Sequence, residues 1–397
     1  MASKLYLEIL QNIFKYHKDD IETLHSILLV NRLWARVVIE ILWRNPFKFA
    51  HIKIFQPKIY YVYKAYKELL NIYRHFIDDG VKKELLFDYP SFLKTLNWKY
   101  LRFEEDGIQL FSMFIQRSAR ITKLKINDLS RGNERLFFID HDLVQRITPL
   151  SRIDSLKINN KNPSYFKIFS NSFKNLNTII IDCYSSNHRE LSKFIRVQKN
   201  LKKLIIKREF PDIEEGIKFQ SNSVTHVKLA KRKYLWKSNS LINLQYCINL
   251  EQLEFSNWNL DNEDSQLLLS MNFPNLKSLI FDYSTVDYED LISIIKVHRS
   301  NLKYLCFNDC ILDHDLKDLS NIINQFCSQL STFRFQTHLK FSRNCKHSII
   351  KNLKDFILKL EIFQLEFLDS NNLDRSFLEF KAPFNWKSIM IKFNIIA

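Results

Sequence analysis

Glycine is nearly absent. The 397 residues hold four, Gly80, Gly107, Gly132 and Gly216, each far from the next. Phosphate cradles need glycines in close array so that backbone N–H groups can reach the ligand, so neither common Gly-rich nucleotide motif can be written here. A nucleophile elbow is excluded for the same reason, and no His-Glu-x-x-His run occurs. No apolar run approaches the roughly 18 residues of a membrane span. Glu8 interrupts the first apolar stretch, which argues against a secretory leader. Cysteine is sparse and scattered, at 183, 247, 306, 310, 327 and 345. Without a framework of close pairs, reduced thiols in an intracellular compartment, cytoplasmic or nuclear, are expected.

What is present describes a folded chain. Apolar residues make up 46% and aromatics 14%, which excludes disorder as the dominant state, and the length suffices for two or three domains or one elongated repeat array. The formal net charge is +16, from 59 basic and 43 acidic residues. Such a surplus suits acidic partners, although lysine is abundant along the whole chain and composition alone would also produce it.

The chain is organised around residues 24–43, LHSILLVNRLWARVVIEILW. Leu24, Ile27 and Leu28 form one arc at helical spacing; Leu33, Trp34, Val37, Val38, Ile41 and Leu42 form a second. Asn31 between them is a good helix N-cap, as is Asp20 before the first arc. Upstream, SKLYLEILQNIF predicts another helix with Leu5, Ile9, Leu10, Ile13 and Phe14 on its apolar side. Three helices in so few residues make a core too small to stand alone, so a partner is expected.

Leu5, Glu8-Ile9-Leu10, Ile13-Phe14, Leu29 to Trp34 and Ile41-Leu42-Trp43 together resemble the F-box, with Tyr6 where that family usually has proline. The resemblance covers residues 1–47. It implies docking onto a Skp-type adaptor of a cullin-based, SCF-type ubiquitin ligase. The anchors it implies are Leu5, Ile9, Leu10, Ile13, Phe14, Leu28, Val30, Leu33, Trp34, Leu42 and Trp43. Residues 48–97, rich in Tyr and Lys, are expected to form a helical connector that seals the near end of the remaining chain.

From residue 98 to 397 a pattern recurs: apolar-x-x-apolar-x-apolar, often led by Asn-Leu. Its starts are Trp98, Ile121, Ile153, Leu176, Leu201, Val224, Leu250, Leu276, Leu302, Leu330, Ile362 and Trp386, with an interval of 26 repeated from Val224 to Leu302. NLEQLEF, NLKSLIF and NLKYLCF are its clearest copies. The pattern resembles the leucine-rich repeat, which implies an α/β solenoid of short parallel strands on the concave face and helices outside. Alternation points positions four and six inward and leaves two, three and five open to solvent.

Chemistry-bearing clusters are few. Cys306, Cys310 and His314 are spaced by four, but Cys306 is expected at the open fifth position and Cys310 at an inward one, and no fourth ligand matches. Neither metal nor cofactor is therefore expected, nor is the chain expected to be an enzyme. On the open positions of the first six motifs stand Lys99, Arg102, Lys123, Lys125, Lys157, Lys202, Lys203 and Lys228 against Asp154. The last six motifs hold Lys277, Lys303, Arg334 and Lys387 against Glu251, Glu254 and Glu366. The first set predicts an acidic or phosphorylated client held by Lys123, Lys125, Lys157, Lys202, Lys203 and Lys228, unless the bias is compositional. Tyr100, Tyr234 and Trp236 are the only stacking platforms nearby, which disfavours nucleic acid. KLAKRKYLWK at 228–237 is basic enough to suggest a nuclear address, but it overlaps a repeat. The two resemblances together imply a substrate receptor; the alternative is a repeat scaffold for acidic protein or RNA without a ligase role.

Overall fold

The structure is a computed structural model. It describes residues 2–47, 68–74, 87–98, 101, 106–118, 120–127, 153–159, 164–182, 188–207, 213–230, 238–260, 262–308, 325, 327, 329–337, 362–367 and 388–393. The chain forms two compact units, Met1–Asn160 with Ile168–Leu176, and Lys161–Lys167 with Asn177–Ala397.

The first unit opens with three helices, of which the second and third begin where their caps dictate. They are α1 (Ala2–Tyr16), α2 (Ile21–Leu28) and α3 (Arg32–Trp43). The Asp20 carboxylate accepts from the Thr23 N–H at 3.0 Å and from the Thr23 hydroxyl at 2.6 Å. Asn31 accepts the Trp34 N–H at 2.9 Å. Each cap satisfies a donor that the helix itself cannot, worth about 1 kcal/mol. The apolar stripes meet in a core of Leu10, Phe14, Leu24, Val37, Val38 and Ile41.

The end of α3 is tied to the first repeat by main chain. The Arg44 carbonyl accepts the N–H groups of Lys94 at 2.9 Å and Thr95 at 3.1 Å. There begins β1 (Thr95–Asn97), parallel to β2 (Lys123–Asn127), which is parallel to β3 (Ser155–Asn159). The same two-donor pattern recurs strand by strand. Lys94 accepts from Thr122 and Lys123, each at 3.0 Å, and Thr122 accepts from Asp154 at 2.9 Å and Ser155 at 3.0 Å. Aromatic rings fill the joint. Tyr73, from the helical residues 68–74, meets Trp43 edge-on at 5.3 Å and Phe114 of α4 (Gly107–Arg117) at 4.5 Å.

This register moves the first motif. Thr95 pairs with Lys123 and Leu96 with Leu124, so the repeat starts at Leu93 rather than Trp98. Trp98 takes the inward sixth position, its ring edge-on to Phe111 at 5.2 Å. The sequence WKYLRF also satisfies the pattern, which is why the phase slips by five residues. Lys99, Tyr100 and Arg102 lie outside the described residues; Lys94 holds the second position instead. Late in the chain Ile362 pairs with Thr332, a third position, so Ile362 does not start its motif.

The second unit carries β4 (Thr178–Ile181), β5 (Lys203–Lys207), β6 (His226–Ala230), β7 (Gln252–Ser256), β8 (Asn259–Leu260), β9 (Ser278–Asp282), β10 (Thr285–Val286), β11 (Tyr304–Asn308), β12 (Thr332–Thr337), β13 (Ile362–Phe367) and β14 (Ser388–Phe393). Apart from the short β8–β10 pair, these strands lie parallel in chain order. Equivalent motif positions pair without slippage, as in Leu204–Val227–Leu253–Leu279–Leu305–Phe333. The architecture is an α/β leucine-rich-repeat solenoid. As alternation predicts, β5, β6 and β9 bury positions four and six and leave three, five and seven half-exposed.

Inside, position six builds a column of rings. Phe255 and Phe281 stack at 5.6 Å and 16°, and Phe281 and Phe307 at 5.6 Å and 3°. Between the strands in sequence come α5 (His188–Arg196), α6 (Glu214–Phe219), α7 (Asn262–Ser270) and α8 (Tyr288–His298), and Asp264 of α7 accepts the indole N–H of Trp258, whose ring meets Phe255 of the column at 5.7 Å. One glycine has a clear steric reason. A Cβ on Gly216 would stand 2.7 Å from the Ser192 carbonyl oxygen, so only glycine lets α6 come this close to α5. Asparagines that lead two of the motifs reach back one repeat: Asn249 donates to the Asn222 main-chain carbonyl at 3.0 Å, and Asn275 to Asn249 Oδ1 at 3.3 Å.

Two residues just past β7 and β9, Asn257 and Tyr283, have φ of 52° and 50°. Asparagine tolerates this left-handed region and tyrosine does not. Tyr283→Asn is therefore expected to raise stability by about 0.5–1 kcal/mol, read from the urea midpoint. Phe281→Ala, which opens a gap between two stacked rings, is expected to lower it by about 3–5 kcal/mol, with hydrogen exchange quickening first in the flanking repeats.

Candidate functional site

The structure divides the eleven residues expected to anchor an adaptor. Leu10 and Phe14 are buried in the three-helix core; they hold the module together and offer no surface. Leu28, Trp34 and Leu42 are partly buried against that core, and Trp34 meets Phe14 edge-on at 5.2 Å. Trp43 is committed to the joint with the repeats, stacking on Tyr89 at 4.2 Å. The Leu5 side chain lies outside the described residues. Ile9, Ile13, Val30 and Leu33 remain exposed, and Leu29 joins them at 76% exposure. Tyr6 and Tyr16 flank Ile9 and Ile13 on α1 at offsets of three, again one stripe. The same heptad-like pattern that marks the helices as amphipathic conceals this split, because core and exposed stripes adjoin on α1.

The lysines expected on the open face also divide. In the first unit Lys123 and Lys125 lie two apart on β2, and Lys157 pairs in register with Lys125 on β3. Burial, then Lys157 and Lys123, hold the Lys125 ammonium below the usual lysine range. Three like charges so close make a strongly positive patch. In the second unit Lys202 and Lys203 stand at the second and third positions of their motif. Burial, then Lys203, also lower the neighbouring His226.

Lys228 is not a free cation. Its ammonium pairs with Glu254, the fifth position of the next strand, with both side chains mostly buried. Lys277 pairs with Glu251 in the same manner at 2.8 Å, but there both are well exposed. Equal motif position in adjacent repeats is the sequence signal for both pairs. Counting charges by halves of the array hides the first, because the division falls between Lys228 and Glu254. The Lys228–Glu254 pair sits in register between Ile205 and Ile280, so this stretch of open face is largely apolar and neutral.

Cys306 also departs from its expected place. Its fifth position was expected to face solvent, yet it is 2% exposed. Larger neighbours cover it: Arg334 pairs in register beside it and lies over the Tyr304 ring at 5.7 Å. Its thiol donates to Asn308 Oδ1 at 3.3 Å, and burial raises its pKa. Burial also pushes Cys247 up to about 12 and Cys327 to about 11, which leaves them as thiols rather than reactive thiolates. Among the described residues no three His, Cys, Asp or Glu side chains are placed to hold a metal; Cys310 and His314 lie outside them. No described helix is long and apolar enough to cross a membrane.

A half-buried ion pair between two isoleucines predicts strong coupling. Glu254→Ala strands the Lys228 charge and is expected to cost about 2–4 kcal/mol, while the double change Lys228→Ala with Glu254→Ala restores part of the loss. Urea midpoints of the four proteins in that cycle measure it, and strictly additive losses would contradict the pairing.

No family model and no curated protein sequence matches this chain. Among solved structures it is similar to the leucine-rich repeat-containing protein LegL7 from Legionella pneumophila, with 16% identity and a TM-score of 0.37 over 66% of this chain and 77% of that one. It is similar also to the complex of Rad7 and Elc1 from yeast, with 13% identity and a TM-score of 0.38 over 98% of this chain and 97% of that one. The fold assignment rests on the strand register and repeat spacing of this chain itself.

Proposed function

We propose that this protein is a substrate receptor of an SCF-type ubiquitin ligase. In this reading the N-terminal three-helix module is an F-box that holds a Skp-type adaptor, and the repeats hold the client. The observation that carries it is an apolar surface left over beside a completed core. Leu10, Phe14, Leu24 and Val38 already satisfy the module internally, yet Ile9, Ile13, Leu29 and Val30 are each close to half exposed or more. Single exposed aliphatics are ordinary, but several on one small helical module mark a contact surface. The chain then needs no catalytic group of its own: it brings the client near a thioester carried elsewhere, and proximity does the work.

The client reading rests on the two lysine sets, Lys123 with Lys125 and Lys157, and Lys202 with Lys203. Opposed to it is the scaffold without a ligase role, which would use the same lysines and leave the helical module idle. Co-purification separates them. The full chain is expected to capture a Skp-type adaptor, and Ile13→Asp or Leu33→Asp to weaken capture about 30-fold or more. Trp34→Ala is a poorer probe, because it also removes a ring from the Phe14 contact. Capture that is absent, or indifferent to Ile13→Asp and Leu33→Asp, overturns the ligase reading.

A further inference from the structure

A basic pocket lies where the helical module meets the first two strands, all within the first unit. Its volume is about 440 Å³, and its lining includes Lys15, Lys18, Arg44, Lys94 and Lys123 against Asp19. Pockets that hold small ligands or side chains run from about 300 to 1,000 Å³. Glu40, which stands nearby, is already engaged by Arg44 at 3.2 Å and Arg120 at 3.0 Å. No carboxylate among the described residues pairs with the ammonium of Lys18, Lys94 or Lys123. Burial, then Arg44, holds the Lys94 pKa down, with Arg120 and Lys15 adding to it. The Arg44 Nε is buried with no hydrogen-bond partner.

The frame around these cations is rigid. The Arg44 and Lys94 carbonyls each take two N–H groups of the following strand, which fixes both backbones, and Lys123 stands on β2 itself. Lys123 also leads out of the pocket, to Lys125 on its own strand and Lys157 on the next. A free phosphate would fill the pocket and leave Lys125 and Lys157 unused. An extended acidic segment would engage both, at the ~4.8 Å step between strands.

We propose that this pocket binds the phosphate of a phosphorylated peptide segment whose acidic flank lies across Lys125 and Lys157. The proposal deepens the client-binding half of the function above and rests on it. A phosphate dianion carries about −1.5 to −2 charges and three strong acceptors, which suits one arginine fork and several lysines better than a single carboxylate does. Among the described residues no aromatic side chain lines the pocket, which does not suit the stacking of a single-strand nucleic-acid site.

The test uses the full chain and a fluorescent peptide with one phosphoserine flanked by glutamates, beside its unphosphorylated twin. Anisotropy is expected to show the phosphopeptide binding at least about tenfold more tightly. Lys94→Gln and Lys123→Gln should each weaken it about tenfold or more, the value of one charge-assisted contact. Lys303→Gln, on the open face of the second unit, should leave it unchanged. Should Lys94→Gln melt early, Lys15→Gln on the exposed side of α1 gives the same readout. Equal binding of the twins, or an equal loss from Lys303→Gln, overturns the proposal. So does pyrophosphate that binds in a Lys94-dependent manner while the peptide does not, or a single-stranded RNA that displaces the peptide. Adaptor capture, measured on the same proteins, depends on Ile13 and Leu33 instead. A chain that fails to capture the adaptor but holds the phosphopeptide through Lys94 removes the ligase role and leaves the pocket standing.

Discussion

One backbone carbonyl per repeat, shared between two N–H groups of the next, governs this fold. In the second unit it recurs from Asn177 through Lys202, Thr225, Glu251, Lys277 and Lys303, each accepting from the second and third residues of the following motif at 2.8–3.0 Å. The bond ignores side-chain identity, so it tolerates lysine, threonine, asparagine or glutamate at the second position. It also tolerates helical stretches of different length between strands, because only the strand starts must coincide. What it does not tolerate is slippage: a shift of one residue would turn Leu279 and Phe281 outward and bring Ser278 and Ile280 inside.

Given that register, side chains act across repeats in fixed columns, and their energies differ widely. The stacked phenylalanines at position six remove large apolar surfaces from water, roughly 1.5–3 kcal/mol for each ring fully buried. The exposed Lys277–Glu251 pair adds little by comparison. Lys228–Glu254 is intermediate and double-edged, since its worth lies mainly in neither charge being left alone between isoleucines. Burial builds the array, then, and the open-face charges decide what it meets.

Much of this was legible in the sequence. Asn31 and Asp20 as caps, the inward fourth and sixth positions, and the repeat starts from Ile121 to Leu330 all come from spacing and cap chemistry, and the structure bears them out. The phase at Trp98 was not legible, because WKYLRF imitates a motif and only strand pairing shows that Leu93 starts it. Nor was the assignment of Leu10 and Phe14. An amphipathic helix announces its apolar arc, but which part faces its own core and which faces outward depends on where α2 and α3 cross it. The pairing of Lys228 with Glu254 was legible in principle from equal motif position. The basic pocket was not, since Lys15, Arg44, Lys94 and Lys123 are gathered only by folding.

The Arg44 carbonyl does for β1 what each repeat does for the next, so the helical module stands in as a repeat that has no strand. A sheet edge left bare presents unpaired N–H groups to any passing chain and invites aggregation. Here the first such edge is closed at Lys94 and Thr95 by the end of a helix. Cutting the chain after residue 47 to isolate the repeats would therefore strip away a lid as well as a docking module. The shortened protein's insolubility or self-association would then report the lost lid, and it would say nothing about which partners the module holds.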